Sequence, residues 1–159
     1  MIKFKKVAVG GTFDHFHIGH ECLIKTALSI GEQVLVGLTT DELLQTHPKK
    51  DTLQSYFHRK KGITRFLESQ CATQFSRIVP LHDFFGSSIR DPEIDALVVS
   101  TETQHRASVV NELRLKKGFR PLQLIVIDLI LAKDGNPISS TRIRDSEIDR
   151  FGNILCSCA

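Results

Sequence analysis

The chain alternates between short apolar runs and longer stretches in which apolar residues recur at helical spacing. Five apolar runs predict β-strands, at residues 4–9, 33–39, 77–81, 96–100 and 122–131. The amphipathic stretches predict helices, at residues 18–30, 52–69 and 101–117. The capping-box patterns Thr39-x-x-Glu42 and Thr101-x-x-Gln104 predict helix starts, and Ser139, Ser140 and Thr141 begin a last helix after a turn.

This alternation of strands and helices predicts an α/β fold. We expect a single-domain, Rossmann-like, doubly wound parallel sheet of five strands, in which right-handed crossovers connect the strands. The domain is expected to span residues 1–152, with residues 153–159 as a mobile tail. Ligands of such sheets bind beyond the carboxyl ends of the strands. The site is therefore expected in the loops that begin at Gly10, Thr39, Ser100 and Ile138.

Composition narrows the class of protein. Of 159 residues, 41% are hydrophobic and 25% are charged, which is typical of a globular protein with its own core. The net charge of +3 is too small to indicate nucleic-acid binding. No apolar run approaches the roughly 20 residues of a membrane helix, and the first apolar run is too short for a secretory leader. We expect a cytoplasmic protein with neither a nucleic-acid nor a membrane partner, and the sequence leaves its oligomeric state open.

The first loop, GGTFDHFHIGH at residues 10–20, has the composition of a phosphate-binding site. Its two glycines allow the backbone to approach a ligand, and the amides at the start of the next helix attract anions. The spacing His17-x-x-His20 places two imidazoles on one face of the helix. These histidines could instead cap the helix, or bind a metal together with His15, but the loop lacks the usual metal-ligand spacing. His15 has no assigned role.

The last loop, ISSTRIR at residues 138–144, offers complementary chemistry. Its three hydroxyl residues, Ser139, Ser140 and Thr141, suit both a helix cap and a phosphate oxygen. Arg142 and Arg144 add permanent positive charge. Taken alone, this segment is equally compatible with a plain helix cap followed by solvated arginines.

Together the two loops resemble the two signatures of the HxGH nucleotidyltransferase superfamily, HxGH and ISSTxxR. In the middle of the chain, VSTET at residues 99–103 and NELR at residues 111–114 resemble elements of the archaeal-type pantetheine-phosphate adenylyltransferases. The resemblance covers about residues 5–152. The chain departs from that pattern in the DFFGS segment at residues 83–87 and at Arg144-Asp145-Ser146.

The resemblance implies transfer of AMP from ATP to 4′-phosphopantetheine, with dephospho-coenzyme A and pyrophosphate as products. It implies Mg²⁺, bound through the phosphates of ATP, and no metal site made of protein ligands alone. Another acceptor remains open, namely nicotinamide mononucleotide, FMN or an alcohol phosphate. A non-catalytic nucleotide-binding module is the alternative from a different class.

The resemblance also implies roles for individual residues. The expected catalytic residues are His17, His20, Lys49 and Arg142. ATP is expected to contact Gly10, Gly11, Thr12, Phe13, Ser100, Glu102, Thr103, Ser139, Ser140, Thr141 and Arg142. The acceptor is expected to contact Thr12, Asp14, Arg114 and either Lys49 or Lys50.

Overall fold

A computed structural model describes residues 3–48 and 50–156. Its centre is one parallel sheet with the strand order β3-β2-β1-β4-β5. The strands are β1 (Phe4–Gly11), β2 (Gly31–Thr39), β3 (Ser76–Leu81), β4 (Ala96–Ser100) and β5 (Gln123–Ile127). The chain winds outward from β1 to β3 and then crosses back to β4. The switch point therefore lies between the carboxyl ends of β1 and β4, where ligands of open α/β sheets bind.

Helices cover both faces of this sheet, so the predicted doubly wound α/β architecture is confirmed. The helices are α1 (Ile18–Ile30), α2 (Tyr56–Ser69), α3 (Gln104–Lys116) and the single-turn-length α4 (Ser140–Arg144). Short 3₁₀ turns occur at Leu43–Thr46, Lys50–Thr52 and Gly86–Ile89.

The two cores follow from the alternation of side chains along the central strands. On β1, Val7 and Val9 face a core built with α1 and α2, whereas Ala8 faces a second core built with α3. All five residues of β4 are buried, as expected for a central strand covered on both faces. This packing fixes the strand ends that carry the loops.

The sequence located the strands well and the helix starts less well. The fifth strand is shorter than predicted because the chain leaves the sheet after Ile127. Thr39 does not cap a helix; it is the last residue of β2, and Thr40 accepts a hydrogen bond from the Leu43 amide instead. Helix α3 begins after Thr103 rather than Thr101.

The chain continues to make ordered contacts beyond the predicted domain end. Ile148 pairs with Ile154 in an antiparallel bridge, and the Leu155 amide donates to the Glu147 carbonyl. Residues 157–159, which complete the predicted tail, lie outside the described residues. No helix within residues 3–48 and 50–156 combines the length and the apolar character needed to cross a bilayer.

Candidate active site

A cleft of about 220 Å³ opens at the switch point between β1 and β4. Its walls come from the first loop, the start of α1, the ends of β4 and β5, and the segment that leads into α4. Most of the predicted ATP contacts line it together with the two histidines predicted to be catalytic: Gly10, Gly11, Thr12, Phe13, His17, His20, Ser100, Glu102, Thr103, Ser139 and Ser140. Thr141, the next residue along α4, is outside the lining of this cleft.

The two histidines of the first loop form a reciprocal cap at the start of α1. His17 is the N-cap residue, and its Nδ1 accepts a hydrogen bond from the Gly19 amide at 3.1 Å. The Nδ1 of His20 accepts from the His17 amide at 3.3 Å. In a neutral imidazole whose Nδ1 is an acceptor, the proton resides on Nε2. Each ring therefore has an Nε2–H group available to an anionic ligand.

The same packing keeps both imidazoles neutral. Burial, with a smaller contribution from the nearby positive charge of Arg150, lowers the pKa of His17 to about 4. Burial also lowers the pKa of His20 well below its ordinary value, with a contribution from His17. The rings are stacked with centroids 3.7 Å apart, an arrangement that two imidazolium ions would oppose. At neutral pH the pair thus serves as hydrogen-bond donors without carrying charge.

The low pKa of His17 predicts acid sensitivity of the fold. Between about pH 6.5 and pH 4 the unfolded chain binds a proton that folded His17 does not, so the free energy of unfolding falls as pH drops through this window. We expect a steeper decline between about pH 7 and pH 5 in the wild type than in His17→Asn, measured by urea unfolding. Equal slopes for the two proteins would contradict the lowered pKa.

Gly19 makes the stacked arrangement possible. A Cβ atom at this position would lie 2.9 Å from Cε1 of His17 and 3.0 Å from its Nδ1. Any larger residue would therefore displace the capping ring. This contact explains why a glycine separates the two histidines.

Asp14 joins the first loop to the last one. Its side chain is 2% exposed and is bonded within the protein, and its predicted contact with the acceptor stays a prediction. Oδ1 accepts from the Gln54 amide at 2.8 Å, and Oδ2 accepts from Arg144 at 2.5 Å. The Ser140 hydroxyl donates to the Asp14 carbonyl oxygen at 2.5 Å. These contacts bring the two sequence signatures into one site.

The two arginines of the last loop contact different parts of the protein, and neither lines the cleft. The Arg142 guanidinium is held by Asp134 and Glu147, and its predicted catalytic role stays a prediction. Arg144 instead lies against the first loop through Asp14. Its Nε is buried without a hydrogen-bond partner among the described residues. The two arginine side chains diverge because residues two positions apart in a helix point toward opposite sides of it.

Arg114, predicted to bind the acceptor, is a structural residue. It is fully buried, and its guanidinium donates to backbone carbonyl oxygens of Ser88, Asp91, Ile94 and Arg120. These bonds consume its donors and hold the segment before β4 against α3. The prediction failed because an arginine within a polar helix gives no sign of its burial.

The two candidate lysines are not placed in the cleft. Lys49 lies outside the described residues. Lys50 lines a separate shallow depression together with Asp41 and Gln54. Their predicted contact with phosphate stays a prediction.

A second cleft of about 240 Å³ adjoins the first. The two share six lining residues, which come from the ends of β1 and β4 and the loops that follow them: Gly10, Gly11, Thr12, Val98, Val99 and Thr103. The walls of the second cleft include Leu81, Phe84 and Phe85, together with the polar residues Ser87, Ser88 and Arg106. This cleft was not predicted from the sequence, although two adjacent phenylalanines after the third strand were an available indication.

Arg59 was not predicted to be buried beside the first loop. This residue of α2 is 1% exposed and contacts the backbone of the first loop. It occupies the same helix face as Ile63 and Phe66, four and seven residues later, and both of these are buried. An arginine on an otherwise apolar stripe was therefore the sign of a buried, paired cation.

A parallel 3-2-1-4-5 sheet, with a histidine pair at its switch point, defines a nucleotidyltransferase-class α/β protein. The profile of the cytidylyltransferase-like family matches residues 8–146, and the chain belongs to this family. It is 44% identical over 149 residues to a protein of Methanopyrus kandleri named phosphopantetheine adenylyltransferase, covering 94% of each chain.

Two further comparisons agree. A Pyrococcus abyssi protein, also named phosphopantetheine adenylyltransferase, is 42% identical over 153 residues, which cover 96% of this chain and 97% of the relative. Among solved structures, an Archaeoglobus fulgidus protein of unknown function superposes with a TM-score of 0.69 at 28% identity. That superposition covers 77% of this chain and 89% of the other.

Proposed function

We propose that this protein transfers AMP from ATP to 4′-phosphopantetheine, giving dephospho-coenzyme A and pyrophosphate. The observation that carries the proposal is the meeting of two clefts at Gly10–Thr12. One cleft is lined by the neutral histidine pair, and the other by aliphatic and aromatic side chains together with hydroxyl groups and Arg106. A triphosphate suits the first and an amide-containing aliphatic arm suits the second. The names of the relatives, at about 40% identity over nearly the whole chain, agree with this division.

In the proposed reaction, a phosphate oxygen of the acceptor attacks the α-phosphorus of ATP, and the bond to the departing pyrophosphate breaks. The nucleophile is already an anion, so no general base is required. Catalysis rests on positioning and on stabilising charge at the α-phosphoryl group. The Nε2–H of His17 donates to an α-phosphoryl oxygen, and that of His20 donates to a β- or γ-phosphate oxygen.

Backbone groups and Arg144 complete the proposed phosphate site. The amides of Gly11, Thr12 and Phe13 hold the α-phosphate and the acceptor phosphate. The segment from Ser139 to Thr141 borders the leaving pyrophosphate, and Arg144 supplies the positive charge first assigned to Arg142. Ser100, Glu102 and Thr103 contact the nucleoside, and Lys49 or Lys50 bridges the two phosphates.

Magnesium belongs to this proposal as a companion of ATP. Within the described ranges, no group of three His, Cys, Asp or Glu side chains could hold a metal ion. The cleft does contain the carboxyl-bearing residues Glu102 and Asp128, a donor set that suits an ion already bound by phosphates. When bound, the ion neutralises charge on the triphosphate. A cytoplasmic location is likewise part of the proposal.

The test is a pyrophosphate-release assay with ATP or CTP against a panel of acceptors. We expect turnover with ATP and 4′-phosphopantetheine to exceed every other pair, and mass spectrometry to identify dephospho-coenzyme A. The competing acceptors are nicotinamide mononucleotide, FMN and an alcohol phosphate. A preference for any of them, or for CTP, would replace the proposed substrate pair. Absence of release with every pair would favour the non-catalytic module.

A further inference from the structure

Arg59 connects the phosphate-binding loop to the segment that carries the two lysines. Its side chain is fully buried. Nη1 donates to the carbonyl oxygens of Thr12 and Thr39 at 3.0 and 2.8 Å, and to the Thr39 hydroxyl at 3.2 Å. Nε donates to the Gln54 carbonyl and Nη2 to the Asp41 carboxylate, at 2.9 and 2.8 Å. One guanidinium therefore ties β1, β2 and both ends of residues 41–54 together.

The bond to the Thr12 carbonyl has a stereochemical consequence. No described peptide bond is cis, so the carbonyl of Thr12 and the amide of Phe13 point in opposite directions. A carbonyl turned toward Arg59 turns the Phe13 N–H away from it. Phe13 has a φ of 52°, a left-handed conformation that a phenylalanine adopts only when its surroundings enforce it.

The backbone N–H of Phe13 has no acceptor within the described part of the protein. Phe13 is 2% exposed and lines the histidine cleft. Among the described residues, no backbone or side-chain atom accepts a hydrogen bond from its amide. Buried backbone amides are nearly always paired. An amide that is held in a strained peptide, beside a cleft and without a protein acceptor, suits an anionic ligand.

We infer that Arg59 is a positioning residue that aims the Phe13 amide at the phosphate in the cleft. It does so by donating a hydrogen bond to the Thr12 carbonyl oxygen, which belongs to the same peptide group as the Phe13 amide. Because it also holds Asp41 and Gln54, it sets the placement of the lysine-bearing segment relative to that amide. This inference rests on the proposed function for its substrate. It adds a residue that touches neither substrate nor reacting atoms.

The experiment compares Arg59→Lys and Arg59→Met with wild type. Lysine keeps the charge but lacks the planar fork that reaches several acceptors at once. Calorimetry counts the sites that bind ATP, and kcat is expressed per such site. We expect this kcat to fall at least about tenfold in both variants, because a misplaced reacting group slows the reaction. Asn111→Ala is the control, since it removes two hydrogen bonds to the Leu122 backbone away from the cleft. It is expected to lower Tm and leave kcat per site unchanged.

A second readout needs no catalysis. In the wild type, the Phe13 amide resonance should shift on addition of ATP, and in Arg59→Lys that shift should shrink by at least about half. Wild-type kcat per site together with a wild-type Phe13 shift in Arg59→Lys would overturn the inference, as would an unresponsive Phe13 amide in the wild type. If wild type binds ATP but forms no product, the proposed function fails while the resonance comparison still tests Arg59.

Discussion

His17→Ala is expected to lower kcat at least about 100-fold, the scale of one lost donor to a transition-state charge. The reason is that the Nε2–H of His17 becomes fully effective only when charge builds on the α-phosphoryl group. The dissociation constant for ATP should change no more than about threefold, because His20 and the loop amides remain. Steady-state kinetics and calorimetry with the folded variant measure the two effects separately.

His17→Asn separates chemistry from capping. Because His17 is the N-cap of α1, alanine removes a cap as well as a donor, a loss of about 1 kcal/mol in typical helices. Asparagine is a favourable N-cap residue but cannot extend a donor to the position of Nε2. We expect His17→Asn to keep a near-wild-type Tm and to lose kcat as severely as alanine. Near-wild-type turnover in either variant would remove His17 from the proposed mechanism.

The second large effect distinguishes the two arginines of the last loop. Arg144→Ala leaves the Asp14 carboxylate buried without its cationic partner, and such a loss costs about 3 kcal/mol or more. We expect a clear decrease in the free energy of unfolding and a loss of turnover of at least about 100-fold. Urea unfolding and pyrophosphate release, measured at a temperature where the variant is folded, test both.

Arg142→Ala is the matched comparison, two residues away in the same helix. Its ion pairs with Asp134 and Glu147 lie at the surface of the last loop, where such pairs contribute little to stability. We expect turnover to fall less than about tenfold. If Arg142→Ala were the more damaging variant, the catalytic role predicted for Arg142 would stand and the one proposed for Arg144 would not.

The fold and the site differ in how much the sequence revealed. The strands were readable because buried parallel strands are continuous apolar runs, and α1 was readable because its apolar spacing and Gly31 mark both limits. The histidine pair and the cleft residues were located because they follow strand ends. Long-range polar contacts were not readable: nothing local shows that Arg144 meets Asp14, or that Arg59 and Arg114 are buried.

The predicted helix starts were wrong for a related reason. Helix caps were predicted at Thr39 and Thr101. In the structure, hydrogen bonds to residues distant in the sequence hold both threonines: Thr39 accepts from Arg59, and the Thr101 amide donates to the Ile127 carbonyl. Thr39 remains in β2, where Arg59 bonds its carbonyl and its hydroxyl. A capping-box pattern describes what a segment can do locally, and a buried guanidinium across the fold overrides it.

The hydrogen bond from the Ser140 hydroxyl to the Asp14 carbonyl oxygen affects the order in which the protein folds during its synthesis. It joins residues 126 positions apart, and the Arg144–Asp14 pair joins residues 130 positions apart. Contacts of such long separation form late, because closing the intervening loop has to be offset by structure already in place. A chain still emerging from the ribosome has β1 and α1 early, but the Ile18 amide at the start of α1 donates to the carbonyl of Arg150, near the other end of the chain. It cannot possess a finished nucleotide site until its last fifth has been synthesised and has folded back onto the first loop.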